Sequence, residues 1–192
     1  MSDTKEGFMQ ATQILMDEHR VIERVIASVE MATNDLAQGE AVRPGFYLDA
    51  TDFIKGFADG CHHRKEEGVL FTAMAGAGMP TQAGPIAVML AEHEQGRAYT
   101  RGMRQAAEHL QGGAESARAD VIRNARGYAA LLRQHIAKED GVLFPMADQV
   151  IPLAAQAQVA EDFERVEHEE TGEGVHERYL ARAEALEREA GA

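Results

Sequence analysis

The stretch His62-His63-Arg64-Lys65-Glu66-Glu67-Gly68-Val69-Leu70-Phe71 returns 73 residues later as His135-Ile136-Ala137-Lys138-Glu139-Asp140-Gly141-Val142-Leu143-Phe144. A shorter pair, Asp17-Glu18-His19-Arg20 and Ala91-Glu92-His93-Glu94, stands 74 residues apart. The unit is a lone His followed by His-x-x-x-Glu, and the chain carries it twice in order. His and Glu four apart share one face of a helix. Neutral imidazole and ionised carboxylate both offer lone pairs to a cation. Two such pairs and two lone histidines, converging inside a helical bundle, make a donor set for two metal ions with shared carboxylates.

Helices must position these groups. Gly and Pro divide the chain into long segments of helical pattern: about 8–36, 45–74, 81–110 and 116–147, then a fifth at about 153–188 that contains Gly172 and Gly174. Apolar residues recur at the helical period, with Leu15, Ile22, Ile26 and Val29 in the first segment and Val121, Leu131, Leu132 and Leu143 in the fourth. No strand pattern competes over a useful length. Short connections predict antiparallel neighbours, hence an all-α, up-down-up-down four-helix bundle over about 8–150. A C-terminal helical extension completes a single domain spanning residues 1–192. His19, His62, His93 and His135 each lie roughly 11 or 12 residues from the same end of the bundle. At 1.5 Å per residue they share one level, about 17 Å up.

Composition bounds the partners. A net charge of −13, from 32 acidic and 19 basic residues, repels nucleic acid and anionic lipid. No apolar stretch approaches a membrane span, and the first residues lack a signal core, so the expected location is the cytoplasm. One cysteine, Cys61, excludes an intrachain disulfide. It is a possible thiolate ligand, but a small buried apolar side chain is the preferred reading.

The ligand set is therefore His19, His62, Glu66, His93, His135 and Glu139, with Glu66 and Glu139 bridging. Nitrogen and oxygen donors without thiolate suit iron or manganese better than zinc, and iron is the natural choice for dioxygen chemistry. Two iron ions (Fe2+/Fe3+) with an oxo or hydroxo bridge fit six protein ligands. Glu139 is preferred to its neighbour Asp140, because it shares the His135 face four residues on and the two halves then match. His63 lies one residue off the His62 face and is paired in the repeat with Ile136, which suggests a supporting role. Glu67 is read in the same way. Glu23, four after His19, either pairs with Arg97 above the metals or is unrelated to it. His168, on a stripe with Gly172, Val175 and Tyr179, is a candidate fifth imidazole. A capping helix with surface histidines, His176 included, is preferred. His109 is expected to be exposed.

These stretches carry a resemblance. The chain resembles the hemerythrin-like family of HHE cation-binding domains through Glu18-His19, His62-x-x-x-Glu66 with Leu70-Phe71, Glu92-His93-Glu94, and His135-x-x-x-Glu139 with Leu143-Phe144-Pro145. The resemblance covers about residues 8–150. It implies a non-haem di-iron centre with terminal histidines and with Glu66 and Glu139 bridging. Oxygen-carrying members have a fifth histidine on the third helix, four residues from the first. Here the positions four either side of His93 are Met89 and Arg97. The departure resembles bacterial members linked to nitric oxide, peroxide or iron handling.

The leading expectation is a di-iron protein that binds or reduces a small oxidant: dioxygen, hydrogen peroxide or nitric oxide. A second is a non-catalytic iron or oxygen sensor, or an iron donor, acting through a protein partner; a homodimer is a separate expectation. A third is a bundle that metal merely cross-links. Nucleophilic catalysis has no support, since Ser is scarce and no nucleophile–base motif surrounds Cys61 in the sequence.

Overall fold

The computed structural model describes residues 3–172 and 174–191, with side chains described from residue 11 onward except at 169–171. Helix α1 (Asp3–Gln38) forms the first rod. The second rod starts as α2 (Pro44–Phe53), continues through π-helical segments Ile54–His63 and Glu66–Leu70, and ends as α3 (Phe71–Gly76). Helix α4 (Gly84–Gln111) is the third rod. The fourth is α5 (Arg118–Lys138), a π turn Glu139–Leu143, and α6 (Phe144–Val150). Among the described residues there is no strand, and no helix is long and apolar enough to cross a membrane.

The expected segments match these rods. Pro44 and Pro85 stand in the first turns of α2 and α4, where proline costs no helical hydrogen bond. Leu15, Ile22, Ile26, Val29, Val121, Leu132 and Leu143 are all buried. Leu131 packs only partly, because its neighbour Leu132 takes the inward position.

The core is split in two. One apolar cluster fills the far half, with Val25, Phe46, Phe53, Phe57, Met103 and Tyr128 among its members. A second fills the near half, including Leu15, Leu70, Met74, Ile86 and Phe144. Between them lies a polar seam of buried His19, His62, His63, Lys65, Glu66, His93, His135 and Glu139. Buried polar groups are tolerated only when something satisfies them. The seam sits at the level the histidine count predicts.

The extension departs from expectation. Two helices replace one: α7 (Leu153–Arg165), prolonged by a π segment Val166–Thr171, and α8 (Val175–Ala190). Gly172 and Gly174 have φ of 96° and 73°, the left-handed region where a Cβ is disfavoured. They break the helix, so the stripe from His168 to Tyr179 does not exist. Helix α7 packs on α1, and α8 packs against both α1 and α2. Phe163 enters the near core and Tyr179 and Leu186 the far one.

Candidate metal centre

His19 comes from α1 and His93 from α4. His62 lies in the last turn of the first π segment of the second rod, and Glu66 opens the next. His135 lies in the last turn of α5, and Glu139 opens the π turn that follows. Both repeats thus widen the helix at the carboxylate. Such π segments recur at functional sites because they re-aim side chains that an α-helix would spread. The widening in Ile54–His63 also turns both His62 and His63 inward.

The imidazoles meet in pairs. His19 Nε2 lies 2.9 Å from His62 Nε2, and His93 Nε2 lies 3.0 Å from His135 Nε2. Glu66 reaches both pairs, at 3.5 Å from His62 Nε2 and 3.4 Å from His93 Nε2. Glu139 also reaches both, at 3.3 Å from His19, 3.1 Å from His135 and 3.8 Å from His93. Donor atoms of His19, His62, Glu66 and Glu139 lie within 4.8 Å of one another. So do those of His63, Glu66, His93 and His135.

Each histidine is held from behind by a carboxylate. His62 Nδ1 donates to Glu18 at 2.9 Å, and His135 Nδ1 donates to Glu92 at 2.9 Å. His19 Nδ1 donates to Asp140 at 2.6 Å, and His93 Nδ1 donates to Glu67 at 2.7 Å. The pattern repeats with the sequence, Glu18 matching Glu92 and Glu67 matching Asp140. Burial pushes Glu18 up, but the hydrogen bond and charge of His62, with Lys65, outweigh it and bring it down to about 2. Glu67 and Glu92 also lie below the usual carboxylate range: burial opposes this, and hydrogen bonds to His93 and Arg97, or to Lys138 and His135, win. An ionised carboxylate only accepts, so the protons sit on Nδ1.

The consequence is an array of inward lone pairs. Neutral imidazole protonated at Nδ1 presents a bare lone pair at Nε2. Two such pairs therefore face each other at hydrogen-bond distance. All four oxygens of Glu66 and Glu139 are buried without a hydrogen-bond partner among the described residues. Only a cation stabilises such a cluster. In the absence of metal it is the proton: burial disfavours charge on His62 and His93, yet the neighbouring glutamates raise them to about 10 and about 9. Two cis donors about 2.1 Å from one ion are about 3.0 Å apart, the separation seen in both imidazole pairs. The donors fit metal.

The six residues His19, His62, Glu66, His93, His135 and Glu139 are thus brought together. Asp140 instead stands behind His19, where it also pairs with Arg20. His168 is exposed and far in character from a ligand, because the glycine break ends its helix. Glu23 is partly exposed and pairs with Arg20 at 3.0 Å, not with Arg97. Arg97 binds Asp59, Glu67 and Glu94, each at 2.7 Å. His63 is buried beside the second pair, its ring stacked 3.8 Å from that of His93. Burial first, then the His93 charge, push it down to about 4, which leaves its lone pair available. Cys61 is buried but joins neither cluster. His109 is exposed, as expected. The residues missed by sequence reasoning are Glu18, Glu92, Lys65 and Lys138. Their signal was the repeat itself, since each pair recurs at the same offset as the ligands.

Comparison with known proteins agrees. The family model described as hemerythrin HHE cation binding domain matches residues 10–147. Uncharacterised proteins of Mycobacterium bovis and Mycobacterium tuberculosis are 24% identical over 181 residues, covering 94% of this chain and 70% of theirs. No solved structure matches the chain. The matched span contains both His-x-x-x-Glu pairs and both lone histidines, so the chain belongs to the hemerythrin HHE cation-binding domain family.

Proposed function

We propose that this protein is a non-haem di-iron protein that binds or reduces a small oxidant: dioxygen, hydrogen peroxide or nitric oxide. His19 and His62 would hold one ion and His93 and His135 the other, with Glu66 and Glu139 shared. His63 would add a fifth imidazole to the second ion, the place left vacant by Met89 and Arg97. The carrying observation is the set of four buried, unpartnered carboxylate oxygens aimed at two pairs of facing imidazoles. Iron would supply electrons and open coordination positions for the oxidant.

The chain's own groups do the rest. The four outer carboxylates fix the Nδ1 tautomer and make each imidazole a stronger donor. Lys65 and Lys138 hold Glu18 and Glu92 in place. The apolar clusters on either side exclude water from the seam.

Stopped-flow absorbance on the Fe(II)-loaded protein, mixed separately with peroxide, nitric oxide and dioxygen, tests this. Saturable spectral change with at least one oxidant, lost on Glu66→Ala, is the expected result. Spectra that stay flat with all three contradict it. The non-catalytic reading, a sensor or iron donor with a protein partner, has one observation in its favour. Glu167 of the C-terminal extension reaches Lys65, which holds Glu18 behind His62. Spectral change without repeated turnover would favour that reading.

A further inference from the structure

A cleft of about 280 Å³ opens between the second rod and α4, and Tyr128 of α5 lines it. It ends against the metal layer at His63. Gly96, Thr100 and Arg104 follow one another along its α4 wall, a run of about 12 Å at 1.5 Å per residue. Asp59 and Arg97 also line it, neutralising one another as an ion pair at 2.7 Å, and Thr51 and Ile54 are buried in its wall.

Two features point to a ligand. The first is charge. Lys55, Arg101 and Arg104 stand exposed at the rim of a chain whose net charge is −13. Arg104 pairs with exposed Glu108 at 3.1 Å, while Lys55 and Arg101 have no acidic partner among the described residues. Arg101 and Arg104, three apart on α4, repel one another, and an anion at the rim would relieve that repulsion. The second is Tyr128. It is 2% exposed, and its hydroxyl has no hydrogen-bond partner among the described residues. The side chains of Tyr99 and Asn124 lie over Gly127 and Gly102. Helices α4 and α5 therefore run in a register that sets Tyr128 within a turn of Arg101. A buried hydroxyl left without a partner is costly, and a ligand acceptor removes the cost.

We propose that this cleft binds an apolar monocarboxylate. The carboxylate is taken by Lys55, Arg101 and the Tyr128 hydroxyl, and the hydrocarbon body lies along the cleft beside Ile54, Gly96 and Thr100. The site needs no metal and is separate from the oxidant position, although its occupant abuts His63.

Titration calorimetry of the metal-loaded full chain with octanoate tests the proposal, with 1-octanol and inorganic phosphate as comparison probes. Octanoate is expected to bind one per chain with Kd below about 1 mM. Arg101→Glu, at an exposed position, is expected to weaken it at least about tenfold. Thr100→Phe, which fills the cleft, removes binding. Tyr128→Phe weakens binding about fivefold while leaving the melting temperature of the ligand-free protein unchanged or higher, because it deletes an unpaired buried hydroxyl. Absence of octanoate binding overturns the proposal. So does octanol or phosphate binding as tightly as octanoate, or affinity in Arg101→Glu and Thr100→Phe within about twofold of the parent.

Discussion

Lys65 and Lys138 occupy equivalent places in the two halves, three residues after His62 and His135, yet replacing each by Met should give very different results. Lys65 is fully buried. Its Nζ donates to Glu18 at 2.5 Å and to Glu167 at 2.8 Å. Burial disfavours its charge, but Glu18, Cys61 and Glu167 more than restore it, so the ammonium is held charged. Removing one member of a buried ion pair costs about 3–5 kcal/mol, because the partner is left buried and unpaired. For a domain of this size that is a loss of roughly 6–20 °C in melting temperature. Lys138 is 41% exposed and its partner Glu92 is 20% exposed. An exposed pair contributes about 0–1 kcal/mol, so Lys138→Met should shift the midpoint by less than about 4 °C. The difference arises because the C-terminal extension, with Glu167, covers only one half of the bundle. Far-ultraviolet circular dichroism melts of both variants, after chelation so that metal binding does not enter, measure it. Equal shifts in the two variants, or a Lys65→Met shift of less than about 2 °C, would show that burial of the Lys65–Glu18 pair does not stabilise the fold.

Three further outcomes follow from the geometry. Glu66→Gln and Glu139→Gln each remove a shared carboxylate, so each should lower the metal bound per chain from about two ions to one or none by mass spectrometry. Asp140→Asn leaves the six inner donors in place but weakens the acceptor behind His19 Nδ1; metal affinity in a chelator competition should fall about 10–100-fold. In the metal-free protein His62 and His93 are raised to about 10 and about 9 from an ordinary 6.5, burial notwithstanding, by Glu66, Glu139, Glu18 and Glu67. Their contribution to metal-free stability is therefore full below pH 6.5 and fades as pH rises through those values. Metal must displace these protons, so apparent affinity should rise with pH across the same window, with proton release visible by calorimetry in buffers of different ionisation heat.

Much of this was legible in the chain. The repeat announced His62, Glu66, His135 and Glu139, and the breaker-defined segments put His19 and His93 at the same level. The choice of Glu139 over Asp140 followed from matching the halves, and the structure gives Asp140 a different partner, the outer nitrogen of His19. His63 was placed at the edge because an α-helix sets neighbours about 100° apart. The π widening from Ile54 to His63 breaks that phase, and no propensity rule marks it. The C-terminal stripe failed for the opposite reason: periodicity ran on through Gly172 and Gly174, which both take positive φ and end the helix. Spacing alone pairs Arg97 with Glu23, whereas Asp59 and Glu67 on the second rod and Glu94 a turn back on the same helix engage it.

Two imidazole pairs and two shared carboxylates are proposed to hold two iron ions. Metal content by mass spectrometry, together with the ultraviolet–visible spectrum of Fe(II)-loaded protein before and after air is admitted, tests this most directly. About two irons per chain and new near-ultraviolet absorption from oxygen-to-iron charge transfer are expected. A reproducible single zinc per chain, with a spectrum that iron loading and air leave unchanged, would contradict it.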